Sequence, residues 1–166
     1  SPKDGLKATF DIDKKKIEEN IKENREETNA ENYINYRNIE IEILKEMNRR
    51  YGGNMNKEIH FVYGRPERVE FSYTPDATIR TEKEFYFFEI KYISNLNLSE
   101  QIINNTIDYL GKVHKAFKHA VGDSDFRIKL ILASKFDIDL SKYKLPTGID
   151  VELYELWTKT GKQKNS

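Results

Sequence analysis

Two periodicities organise the chain. Apolar side chains at Tyr33, Tyr36, Ile43, Leu44, Met47 and Tyr51 fall on one helical stripe, and Gly52 and Gly53 should end that helix. Glu40 lies four residues from both Tyr36 and Leu44 and so points into the stripe, whereas Glu42 does not. Three strand-like segments follow. Residues 59–63 stop at Gly64 and Pro66. Residues 68–76 alternate Val69, Phe71 and Tyr73 with Arg68, Glu70 and Ser72, and residues 84–92 are the most β-prone stretch. Residues 78–83 read as a short polar linker, which predicts an antiparallel hairpin between the last two strands. A second helix is expected from an Asn97 cap through Ile103, Ile107, Leu110, Val113 and Phe117 to about Ala120, closed by Gly122 and Asp123. Residues 127–134 read as a strand buried on both faces, and residues 151–157 as another. The order predicts an α/β fold, a mixed central sheet flanked by helices, with a right-handed crossover helix after the hairpin.

The flanks differ from this centre. Residues 12–28 are charged, with only Ile12, Ile17 and Ile21 apolar, so residues 1–30 read as a charged helix or arm. Residues 31–157 form the predicted domain, and residues 158–166, with Lys159, Lys162 and Lys164, a basic flexible tail. At 166 residues the chain suits one domain, and its start at Ser1 reads as an excised domain or a tag remnant. It has no cysteine, which removes disulfides, thiolate zinc sites and cysteine nucleophiles. His60, His114 and His119 leave little for a histidine metal cage. No leader pattern and no long apolar run are visible, so the expectation is a cytoplasmic protein with no membrane partner. With 28 basic against 28 acidic residues, a dedicated nucleic-acid packaging role is excluded, but brief contact by an enzyme is not.

One segment carries chemistry: Pro75-Asp76, then twelve residues, then Glu89-Ile90-Lys91. In a strand Glu89 and Lys91 share a face, while Phe88, Ile90 and Tyr92 point the other way. A tight turn at Glu82-Lys83 sets Asp76 directly opposite Glu89, and Ala77 and Ile79 against Phe88 and Tyr86. Opposed side chains have Cβ atoms about 4.5–5.5 Å apart, where like charges destabilise. A bare carboxylate pair raises one pKa, and a divalent cation relieves it. Ligation by carboxylate oxygens, water and phosphate is the magnesium pattern. Such a metal acts as Lewis acid and activates its bound water. On the same face, Lys91 can orient or help deprotonate that water and stabilise charge at a phosphate. The chemistry expected is phosphodiester hydrolysis.

These residues, with the helix–three-strand–helix–strand order around them, resemble the PD-(D/E)XK nuclease superfamily, the restriction-endonuclease-like group, over about residues 33–134. The resemblance implies an αβββαβ core in which Asp76, Glu89 and the backbone carbonyl of Ile90 hold Mg²⁺ or Mn²⁺ and Lys91 serves the water nucleophile. Members often add a Glu on the first helix, and Glu40 matches as a further metal-binding and catalytic position. Many have a polar residue early in the second helix, where Gln101 stands. The implied function is an endonuclease on DNA, with RNA and attack at ends left open. Two-strand cleavage calls for two active sites, so a homodimer or additional domains of a larger protein are expected partners. The alternative class is a catalytically inactive module that keeps the scaffold for nucleic-acid or protein binding.

The remaining polar features have blander readings. Glu40 can snorkel or pair with a nearby Lys, and Gln101 can be a helix-end surface residue. Lys112, His114, Lys115, Lys118 and His119 give the second helix a basic side, read as solvated, with phosphate contact as its functional version. Arg65 and Arg68 flank a turn and are placed to touch phosphate. The ten tyrosines sit mostly at core-facing positions, so no base-stacking role is assigned to them.

Overall fold

The computed structural model describes residues 30–52, 54–65, 67–122 and 124–156, with side chains from residue 35 onward. The charged arm, the Tyr33 side chain, Gly53, Pro66, Asp123, Trp157 and the basic tail lie outside the described residues. Helix α1 (Ala30–Tyr51) turns Ile43, Leu44 and Met47 inward. Gly52, at φ +62°, ends it in the left-handed region, and its N–H bonds the Asn48 carbonyl at 3.0 Å. Strands β1 (Asn54–Asn56), β2 (Phe61–Arg65), β3 (Arg68–Tyr73), β4 (Ala77–Arg80) and β5 (Glu84–Ile93) lead to helix α2 (Leu96–Phe117). A 3-10 turn at Lys118–Ala120, strand β6 (Asp125–Ser134), a 3-10 turn at Leu140–Lys142 and strand β7 (Ile149–Glu155) complete the order.

The result is a mixed α/β fold. Its five-stranded sheet runs β1-β4-β5-β6-β7, antiparallel at β1–β4 and β4–β5 and parallel at β5–β6 and β6–β7. Helix α2 connects the parallel pair β5 and β6. Among the described residues no helix is long and apolar enough to cross a membrane.

Strand pairing departs from expectation in two places: β1, which the pattern did not announce, pairs with β4 at the sheet edge, and the pairing changes around Pro75. Residues 68–76 do not form a single strand against β5: β3 stops at Tyr73 and pairs with β2 in a separate two-stranded ribbon. The partner of β5 is β4, drawn from what reads as the polar linker. Pro75 has no N–H for a ladder, so the chain must break there. β4 hides its strand character by being only four residues long. The expected register nevertheless holds, with Ala77 opposite Phe88 and Ile79 opposite Tyr86. Helix α2 also starts earlier than expected. Asn95, extended at φ −124°, is the cap, and its side chain accepts the Asn97 N–H at 2.9 Å.

Both sheet faces are covered. On one, Ile43, Leu44 and Met47 of α1 pack with Ala77, Ile79, Tyr86, Phe88, Ile90 and Ile131. On the other, Ile103, Ile107, Leu110, Val113 and Phe117 of α2 and Tyr73 of the ribbon pack with Phe85, Phe87, Phe126, Ile128 and Leu130. β6 sits between β5 and β7 and buries alternate residues on both faces, as its apolar run predicts.

A cross-strand fork ties β6 to β7: Arg127 donates through Nε and Nη2 to the two Asp150 oxygens at 2.7 and 2.8 Å. The Arg127 hydrogen bond holds the Asp150 carboxyl below its usual range, against a smaller opposing effect of burial. A carboxyl depressed in the folded state stabilises above its unfolded pKa of about 3.9, and that contribution fades as pH falls through the folded value. Asp150→Asn should therefore lower stability at neutral pH, and its deficit against wild type should shrink below about pH 4. Urea unfolding from pH 2.5 to 7 measures this, and a deficit independent of pH contradicts it.

Candidate functional site

Pro75 and Asp76 occupy the break between β3 and β4. That break is anchored. Thr74 and Pro75 are buried, and Thr74 Oγ1 lies 2.8 Å from His60 Nδ1 across the ribbon. Asp76 is then clamped to β5 twice: its N–H donates to the Phe88 carbonyl at 2.9 Å, and its Oδ2 accepts the Ile90 N–H at 2.7 Å. β5 residues 88 and 90 bracket Glu89, so this clamp holds Asp76 against the Glu89 segment of β5, just before the paired register begins at Ala77 and Phe88. The carboxylate also takes the place of a main-chain acceptor that β4 does not provide at Ile90.

Glu89 and Lys91 fall on the β5 face that carries Phe85, Phe87 and Ile93, the face covered by α2 and the ribbon. The sequence reading left this side of the hairpin open beside the two acids. In the structure it is a second core layer, and Glu89 is only 7% exposed. A carboxylate so buried needs a partner. Tyr73, the last residue of β3, supplies one by donating its phenol O–H to Glu89 Oε1. Burial, and then the Glu89 charge, hold the Tyr73 phenol well above its usual pKa, which keeps it a donor. Its ring is fixed against Phe87, 5.8 Å away and stacked. Sequence reasoning missed this residue because it counted Tyr73 as one more apolar position in an alternating strand. The clue available was a Tyr two residues before Pro75.

The other expected positions lie on β5, α1, α2 and the ribbon. Lys91 is half-buried, two residues beyond Glu89 on its face. Glu40 is half-buried on α1, one turn after Tyr36, whose ring meets Tyr92 at 5.6 Å. α1 covers the Tyr86–Phe88–Ile90 face, so Glu40 comes from the layer opposite Glu89. Among the described residues no three His, Asp or Glu side chains gather into a metal-holding group. Gln101 is exposed on α2; the buried polar residue early in that helix is Ser99, whose hydroxyl donates to the Leu96 carbonyl at 2.7 Å. Of the basic residues on α2 and the turn after it, Lys112, Lys115, Lys118 and His119 are exposed. His114 is not part of that face. It is 9% exposed, stacks on Phe126 and bonds its carbonyl through Nε2 at 2.8 Å. Arg65 and Arg68 are exposed cross-strand partners at the tip of the ribbon.

What Asp76 and Glu89 offer is an all-oxygen donor set of two carboxylates plus the Ile90 main chain. Carboxylate and carbonyl oxygens are the donors that hard divalent cations prefer, and the nitrogen and sulfur donors typical of zinc are not among them. Compared with known proteins, the chain matches no family model, no curated protein and no solved structure.

Proposed function

We propose that the chain is a metal-dependent nuclease of the PD-(D/E)XK type, hydrolysing phosphodiester bonds in DNA as an endonuclease on a restriction-endonuclease-like scaffold. The observation that carries this reading is the double clamp on Asp76, which ties this carboxylate to β5 at Phe88 and Ile90, on either side of Glu89, with Lys91 following Glu89 on the same strand face. Asp76, Glu89 and the Ile90 carbonyl would hold Mg²⁺ or Mn²⁺. Such an ion, when bound, supplies Lewis-acid polarisation of the phosphate and a more acidic water. The chain's own residues do the rest. Lys91 orients the attacking water and places positive charge where the phosphorane charge develops. Tyr73 fixes the Glu89 rotamer through its O–H bond and so acts as a positioning residue. Arg65 and Arg68 at the ribbon tip provide guanidinium groups for backbone phosphate.

Tyr73→Phe tests the positioning role. Losing an outer partner of a metal ligand typically costs about 10–100-fold in metal affinity or activity. The expected result is a drop of that size in Mn²⁺ affinity by calorimetry, with the helical and sheet circular dichroism retained. Unchanged affinity removes Tyr73 from the site.

A catalytically silent binding module on the same scaffold is the second reading. It is favoured by the absence of a three-residue metal-holding group among the described residues and by the structural work the Asp76 carboxylate already performs at Ile90. Calorimetric titration with Mn²⁺, followed by cleavage assays on linear and circular DNA and on RNA, separates the two. Metal-dependent cutting establishes the enzyme; no heat of binding and no cutting establish the module.

A further inference from the structure

A cavity of about 400 Å³ opens on the α2 side of the sheet, at the end of β4 away from Asp76. Its walls are aromatic. Phe61 lies 4.5 Å from Phe87 and 6.0 Å from Phe117, ring centre to ring centre, and Phe85 lies 5.6 Å from Phe87. Two features separate it from a packing gap. The first is Thr78, only 1% exposed, which lines the cavity. Thr78 pairs with Phe87 and hangs on its face of the sheet, opposite to Ala77 and Ile79. Its hydroxyl has no side-chain hydrogen-bond partner among the described residues, an unfavourable state for a buried polar group. The second is the mouth, where Asn54 and Asn56 of β1 and Arg80 of β4 are exposed together. The Arg80 guanidinium stacks over the Phe85 ring at 4.4 Å and so is held at the rim.

We propose that this cavity is a binding site for a nucleoside 5′-phosphate, entering base first. Phenylalanine faces accept a flat heteroaromatic ring of any sequence identity. The Thr78 hydroxyl can both donate and accept at the ring edge, which resolves its unpartnered state. Carboxamides at Asn54 and Asn56 can read a base edge as paired donor and acceptor. The Arg80 guanidinium suits the phosphate left at the mouth. An aliphatic or purely aromatic occupant leaves Thr78 and the two rim carboxamides unused, and Arg80 with only its Phe85 and Ser124 contacts. The same chemistry reaches the site either as a free mononucleotide or as an unstacked base of a single strand.

The site needs neither Asp76 nor a metal, so its test is independent of the nuclease reading. The 166-residue protein, without divalent ions, is titrated calorimetrically with AMP, GMP, CMP, UMP, their parent nucleosides, single-stranded pentanucleotides, ribose 5-phosphate and indole. Saturable binding of at least one mononucleotide or pentanucleotide is expected, with ribose 5-phosphate silent. Binding of both ligand types assigns a general nucleotide site; binding of the pentanucleotide alone assigns the source to a strand. Thr78→Val should weaken binding about tenfold yet raise the melting temperature by about 2–4 °C, because it removes a buried hydroxyl that lacks a partner. Arg80→Gln should weaken the phosphorylated ligands about tenfold and leave the parent nucleosides unaffected. The proposal is overturned by no saturable binding of any nucleotide up to millimolar concentration, or by indole binding while every nucleotide fails. Equal binding of ribose 5-phosphate overturns it as well, as do affinities that neither substitution changes.

Discussion

Asp76→Asn is expected to lower Mg²⁺-dependent DNA cleavage by at least about 100-fold while leaving the fold in place. The substitution keeps an oxygen that can accept the Ile90 N–H, so the clamp that orients residue 76 survives. What it removes is one negative charge, which a divalent cation requires and Glu89 resists. The metal-free variant should therefore melt no lower than wild type, because a like-charge pair across the strand has been relieved. Added Mg²⁺ should raise the melting temperature of wild type but not of the variant, since only a ligand that binds the folded state stabilises it. Asp76→Ala makes the contrast. It leaves the Ile90 N–H unpaired and should cost about 1–3 kcal/mol of stability in addition to the activity. Lys91→Ala should lose cleavage with Mn²⁺ binding retained, since the ammonium serves the water and not the ion. Equal cleavage by wild type, Asp76→Asn and Lys91→Ala refutes the enzyme reading.

The second large effect concerns the scaffold. Gly148 precedes β7 at φ +84°, a conformation that L side chains rarely adopt. A Cβ built there falls 2.1 Å from His114 Nε2, inside the ring that joins α2 to β6. His114 cannot retreat easily, because it is stacked on Phe126 at 4.8 Å and bonded to its carbonyl. Gly148→Ala therefore combines backbone strain with overpacking, about 3–5 kcal/mol together. Equilibrium urea unfolding should show a loss of that size. A His114→Ala background should remove the overpacking part, so that the Gly148→Ala penalty falls to about 1–3 kcal/mol. Additive effects of the two substitutions contradict this account of the contact.

The central pair of the candidate site was legible before any coordinates. Period two in residues 84–92 and a turn at Glu82-Lys83 were enough to predict Asp76 opposite Glu89, and the β4–β5 register agrees with that counting where it runs, from Ala77 and Phe88 to Arg80 and Phe85. The inward stripes of α1 and α2 and the double burial of β6 were equally readable from spacing. Local periodicity encodes which residues share a face, and strand registers next to tight turns inherit that information. It does not encode what lies above the face. Residues 68–73 alternate in the same way whether they join β5 or turn away to pair with β2, and Pro75 decided for the second course. That choice covered Glu89 and brought Tyr73 onto its carboxylate. It also put Phe61 above Phe87 and so walled the cavity beside Thr78. His114 shows the same limit on a helix, since Lys112 and Lys115 stand close to it in sequence and its burial comes from Phe126 and Gly148. Sequence by itself determined which residues share a strand face, Glu89 with Lys91 and Phe88 with Ile90, and the register that begins at Ala77. Only the tertiary structure decided their surroundings, because burial and partner bonds arise from contacts between segments far apart along the chain.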